Sequence, residues 1–198
     1  GFDIVSNECL EIPIEVSGES GTQLGVDVLL REVRINLEHT YDGDLFIQLE
    51  STARVLVILT DNNGITGKNF GDIDGCTNNT NFIMCASTPI GSGSAPYIGE
   101  YIPDGDFADF NDNSDPNGLW VLHVCDEAGG DEGIFNYAEL VFGLESSEAD
   151  ILSFEFAEQI EPATIDDVAN TIDISVGNGT DLTTLVASFT LTSCEYAE

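Results

Sequence analysis

An all-β sandwich is the fold class that this sequence predicts, and three observations predict it. Apolar and polar residues alternate over short runs instead of recurring at helical spacing. Those runs are separated by clusters of Gly, Asp, Asn and Ser, residues that stop strands and build turns. A hydrophobic content of 42%, with eleven Phe, five Tyr and one Trp, is enough to fill the space between two sheets.

Taken in order, residues 12–16 read as a strand and Ser17–Gly21 as a turn. Leu29–Leu37, with Val33, Ile35 and Leu37 in alternation, is a second strand. It runs through Asp42-Gly43 into Leu45, Ile47 and Leu49, a pairing expected to form a β-hairpin with Thr40, Asp42 and Asp44 crowded at its tip. Val55–Leu59 follows, then an irregular stretch over 61–75. Phe82–Cys85 is a short strand candidate, 87–95 a loop of small residues, and Tyr97–Ile102 extended. Residues 103–118 form a second long acidic loop. Gly118–Cys125 alternates cleanly, with Trp120, Leu122 and Val124 on one face and His123 and Cys125 on the other, and Tyr137–Phe142 closes the set. Loops of about 15 residues without secondary structure are uncommon in a compact domain unless they are functional or ordered by an ion.

A composition break over the acidic linker 144–150 divides the chain into 1–143 and 151–198. Beyond it, Ile151–Phe156, Thr171–Val176 and Thr184–Leu191 read as three more strands. Three strands make a marginal unit, so the segment is expected to be a partial or small immunoglobulin-like sandwich. Its wording "TIDISVGNGTDLTTLVASFTLT" resembles the start of Ig-like repeats in secreted and surface bacterial proteins.

The charge balance is extreme, with 37 Asp and Glu against four Lys and Arg, a net charge of −33. All four cations (Arg31, Arg34, Arg54, Lys68) precede residue 69. Such a surface repels phosphate backbones and anionic lipid, which argues against nucleic-acid and membrane-surface binding. It suits divalent cations, whose preferred ligands are carboxylates and carbonyls. The chain opens on Gly1 without a Met, as expected of an exported protein whose leader has been removed or of an excised segment.

The five cysteines (Cys9, Cys76, Cys85, Cys125, Cys194) match no zinc spacing. Cys76 and Cys85 flank a short Asn/Thr-rich segment that a bridge between them would staple. With the acidity, this favours an oxidising, extracellular setting. The pairing of Cys9, Cys125 and Cys194 stays open.

Several phrases occur in one order: "VRINLEHTYDGDLFIQLES" (33–51), "TDNNGITGKNFGD" (60–72), "SGSAPYIGEYIPDG" (92–105), "NGLWVLHVCDEAGGDEG" (117–133) and "AELVFG" (138–143). Together they resemble the bacterial form of the P domain of kexin/furin-like proprotein convertases, over roughly residues 12–143. The resemblance implies a jelly-roll-like sandwich without a catalytic site. In convertases that domain follows a subtilisin-like protease and supports its folding, stability and calcium dependence; elsewhere it is an accessory module of secreted enzymes and adhesins. Its partners would be neighbouring domains of the same polypeptide, with a protein or glycan ligand as a further option. Ser51-Thr-Ala-Arg54 departs from the family's usual Ser-Pro-Ser-Gly-like turn, and Phe135-Asn-Tyr137 stands where a Trp is common.

Candidate chemistry centres on Ca²⁺. Four carboxylates, Asp42 and Asp44 of the expected hairpin and Asp126 and Asp131 of the turn 126–133, would repel one another unless a cation neutralised them. A second candidate set is Asp61, Asn63, Asp72 and Asp74. Asp109, Asn111 and Asn113 match the opening of an EF-hand loop, but Ser114 replaces the required Gly and Trp120 the bidentate Glu, so that motif fails. His39 and His123 have no nucleophile elbow beside them and are expected to be structural. Tyr97, Tyr101, Phe107 and Phe110 are expected to pack onto the core sooner than to face a ligand.

Overall fold

The computed structural model describes residues 1–72, 77–143, 151–166, 169 and 171–191. The chain divides into two compact units, Gly1–Glu145 and Ser146–Glu198.

The first unit is a β-sandwich of two sheets. Its strands are β1 (Phe2–Val5), β2 (Cys9–Val16), β3 (Leu29–His39), β4 (Leu45–Glu50), β5 (Leu56–Asp61), β6 (Thr80–Phe82), β7 (Gly99–Tyr101), β8 (Gly118–Asp126) and β9 (Glu132–Gly143). One sheet has the order β1-β9-β3-β6-β7 and the other β2-β8-β4-β5. Pairing is antiparallel throughout except between β6 and β7.

The expected hairpin is not one. β3 and β4 lie in different sheets, β3 between β9 and β6, β4 between β8 and β5. The alternation was sound, since Val33, Ile35 and Leu37 on β3 and Leu45, Ile47 and Leu49 on β4 are all buried. Both sets, however, point into the shared core from opposite layers. The intervening residues, with a 3₁₀ turn over Asp42–Asp44, carry the chain from one sheet to the other. β1 and the first residues of β2 were not expected as strands.

Aromatic rings fill the interior. Trp120 meets Phe110 and Phe142 edge-on at 5.2 and 5.6 Å, and Phe70 stacks on Tyr97 at 4.7 Å. The Trp120 indole N–H donates to Pro116 O at 2.8 Å, so its one polar atom is satisfied. Tyr97, Phe107 and Phe110 are buried and Tyr101 is half-buried, as expected of loop aromatics that pack inward. At a site packed this closely, Ile47→Val is expected to lower stability by about 1 kcal/mol, read as a fall in the urea midpoint at unchanged slope.

A disulfide joins Cys9 to Cys125, which face each other in the β2–β8 register. Cys85 is also disulfide-bonded. Cys76, its expected partner, lies outside the described residues, as do Asp74, Cys194 and the linker 144–150.

The second unit holds two two-stranded sheets. β10 (Ile151–Phe156) pairs with β13 (Ala187–Leu191), and β11 (Thr164–Asp166) with β12 (Thr171–Asp173). Phe154 stacks across the first pair on Phe189 at 6.3 Å.

Candidate functional site

The passage between the sheets brings three loops together: the tip 40–44, the turn 62–69 after β5 and the turn 126–132 after β8. The tip is stitched to the others by its backbone. The Asp42 N–H donates to Gly67 O (2.9 Å), the Gly43 N–H to Ile65 O (3.1 Å), and the Glu127 N–H to Asp44 O (2.8 Å). In that sense the acids at 42–44 and 126–131 are neighbours.

Their carboxylates, however, are turned to separate tasks. Asp126 is buried beside His39, whose Nε2–H donates to Asp126 Oδ2 at 3.3 Å, and the Ala128 N–H donates to Oδ1 at 3.1 Å. Asp131 Oδ1 accepts from the Thr40 hydroxyl at 2.7 Å. Among the described residues, no three His, Cys, Asp or Glu side chains gather as a metal-ligand set.

Asp42 differs from all of these. It is wholly inaccessible (0% exposed), and neither carboxylate oxygen has a hydrogen-bond partner. Burial pushes its pKa up to about 7, the Asn69 backbone amide pulling the other way without reaching full hydrogen-bond geometry. The Tyr97 hydroxyl is shifted upward too, first by burial and then by the charge of Asp42 nearby.

The second expected set is divided. Asp61 and Asn63 meet at Asp104, a residue the sequence did not single out: Asp104 Oδ2 accepts from the Asp61 N–H (2.9 Å) and from Asn63 Nδ2 (2.7 Å). The only cue to it was its place in the Pro103-Asp104-Gly105 turn. Asp72 instead exchanges bonds with Asn78, its N–H donating to Asn78 O (2.8 Å) and its Oδ2 accepting from Asn78 Nδ2 (3.2 Å).

The failed EF-hand stretch begins within a 3₁₀ turn over Phe107–Phe110, capped by Asp106, whose Oδ1 accepts from the Ala108 N–H at 2.8 Å. His39 and Asp126 resemble two members of a hydrolytic triad, but both side chains are fully buried, out of reach of a substrate. His123 lies beside Glu50, Nε2 to Oε2 at 3.0 Å, and the Arg54 guanidinium foremost holds the Glu50 carboxyl below its ordinary range. An open groove of about 670 Å³ runs beside β1, lined by Asp3, Ile4, Glu38, Lys68, Glu132 and Ile134 among others. None of the described helices is long and apolar enough to cross a membrane.

No curated protein matches the chain. Residues 151–196, almost the whole second unit, match the family model described as "SGBP, N-terminal".

Proposed function

We propose that the chain is a non-catalytic segment of an exported cell-surface protein of the glycan-binding type, in which the sandwich of the first unit acts as a spacer or binding module. The match of residues 151–196 to the SGBP N-terminal family carries this reading. The Cys9–Cys125 bridge fits the oxidising exterior that such a protein occupies. The acidic surface fits a glycan or protein partner better than a polyanion. The His39–Asp126 pair is sealed off and has the character of a structural contact.

Antibodies raised against residues 1–198 are expected to label intact source cells without permeabilisation, and the segment is expected to release no product from peptide or polysaccharide panels. Labelling only after permeabilisation, or turnover by the segment, would sink the proposal. The P-domain resemblance of residues 12–143 favours a second reading, a support module for a subtilisin-like protease. The full-length gene separates the two: a protease domain upstream supports the second, tandem β-domains the first.

A further inference from the structure

We infer that Asn178 is a site of spontaneous, one-way modification, at which the side-chain amide is exchanged for a carboxylate through a cyclic imide, while the fold holds the chain's two other Asn-Gly pairs unreactive.

The chain contains three such pairs, Asn63-Gly64, Asn117-Gly118 and Asn178-Gly179. Asn is among the chemically labile residues, and a following glycine is its least hindered neighbour, with no Cβ to shield the nitrogen or restrain φ. The glycine nitrogen, once it has lost its proton, attacks the Asn Cγ. A Cγ–N bond forms, the Cγ–Nδ2 bond breaks and ammonia leaves. Water then opens the five-membered imide. Addition at Cγ gives an ordinary aspartate, and addition at the backbone carbonyl gives an isoaspartate whose main chain runs through the side chain. Water enters, ammonia departs and a carboxylate is gained, without enzyme or oxidant.

The reacting dipeptide is the same at all three places, so structure decides among them. Asn63 Nδ2 donates to Thr60 Oγ1 (3.1 Å) and to Asp104 Oδ2 (2.7 Å). Gly64 has little room to turn, since a Cβ there would stand 2.7 Å from the Tyr97 hydroxyl. Asn117 is held at both ends of its amide, Oδ1 accepting from the Glu19 N–H (3.1 Å) and Nδ2 donating to Glu19 O (3.3 Å) and Asp115 Oδ1 (2.9 Å). Its glycine opens β8, in register with Val16. At both places the leaving group is tethered and the torsions are fixed, so reaction requires the site to open first.

Asn178 is exposed, and its amide has no partner among the described residues. It sits in a β-turn closed by the Thr180 N–H, which donates to Gly177 O at 3.2 Å, with Gly179 at φ +94° in the third position, as type II geometry requires. A Cβ on Gly179 would meet nothing within 4 Å. Nothing therefore packs against the rotation that brings the Gly179 nitrogen onto Asn178 Cγ. Residue 178 falls within the span 151–196 that carries the family match. Conversion puts a new charge into the turn before β13 and, in the isoaspartyl form, an extra backbone methylene.

The test incubates the whole 198-residue chain at mildly alkaline pH and physiological temperature. Digestion follows under acidic conditions, and mass spectrometry with fragmentation separates aspartate from isoaspartate in the peptides. Asn178 is expected to convert at least about tenfold faster than Asn63 or Asn117, the two or three hydrogen bonds at those sites setting the scale. The rate is expected to rise with pH, because the attacking nitrogen must first lose its proton. In concentrated urea the three sites are expected to converge, since folding alone distinguishes them. Asn178→Gln, whose cyclisation needs a six-membered ring, is expected to abolish the product at 178 and leave the other two sites as they were. Conversion of Asn63 or Asn117 as fast as Asn178 in the folded chain would overturn the inference. So would an intact Asn178 where the unfolded chain reacts, or a ranking that persists in urea.

Discussion

Replacing Cys9 and Cys125 together by Ser is expected to destabilise the first unit by roughly 5 kcal/mol, since the bridge closes a loop spanning 116 residues. In the chain-entropy account the effect comes from the unfolded state, which regains the freedom of nearly the whole sandwich. Few other single contacts here could approach it, because the mean stability of such a domain is only about 5–15 kcal/mol. The substitution is preferable to reducing agent, which would also open the bridge at Cys85. Urea unfolding followed by Trp120 fluorescence checks it. A loss below about 1 kcal/mol would mean that β2 and β8 hold the unfolded ends together without covalent help.

Asp42 leads to the second large effect, on pH. Its folded pKa stands at about 7 against an ordinary 3.8. The folded state therefore holds a proton that the unfolded state has released over the intervening range. The contribution of this group is full below about pH 4 and is lost as pH rises through 7, a swing on the order of 4 kcal/mol. In calcium-stripped buffer, the stability of the unsubstituted protein minus that of Asp42→Asn is expected to fall by several kcal/mol between pH 4 and 8. Taking the difference removes the other carboxylates from the comparison. A flat difference would show that the Asp42 carboxylate is solvated or paired in solution.

The strands were legible in the sequence because period-two alternation states which side chains face inward, and Val33, Ile35, Leu37, Ile47, Leu49, Trp120 and Leu122 all do. The partition into sheets was not legible. Alternation fixes a face but names no neighbour, so β3 and β4 looked like a hairpin although they belong to opposite layers. The Cys9–Cys125 bridge was hidden for the same reason, since it follows from the β2–β8 register and not from any cysteine spacing. At the candidate site the acids were visible as acids, but their roles depended on partners far along the chain. His39 engages Asp126, Thr40 engages Asp131, and Asp42 lies against Gly64 and Gly67, a neighbourhood that only the folded chain assembles.

The order of the sheets also bears on how the first unit meets other chains. Outermost strands are where one copy could zip onto the next. β1 and β7 are only four and three residues long, and β2 carries Pro13, which has no N–H to offer an incoming chain. Acidic residues along these same margins, Asp3, Glu11, Glu15 and Glu100, add mutual repulsion. Three of the four sheet edges therefore resist taking on a strand from another chain; the fourth, β5, is six residues long and ends on Asp61.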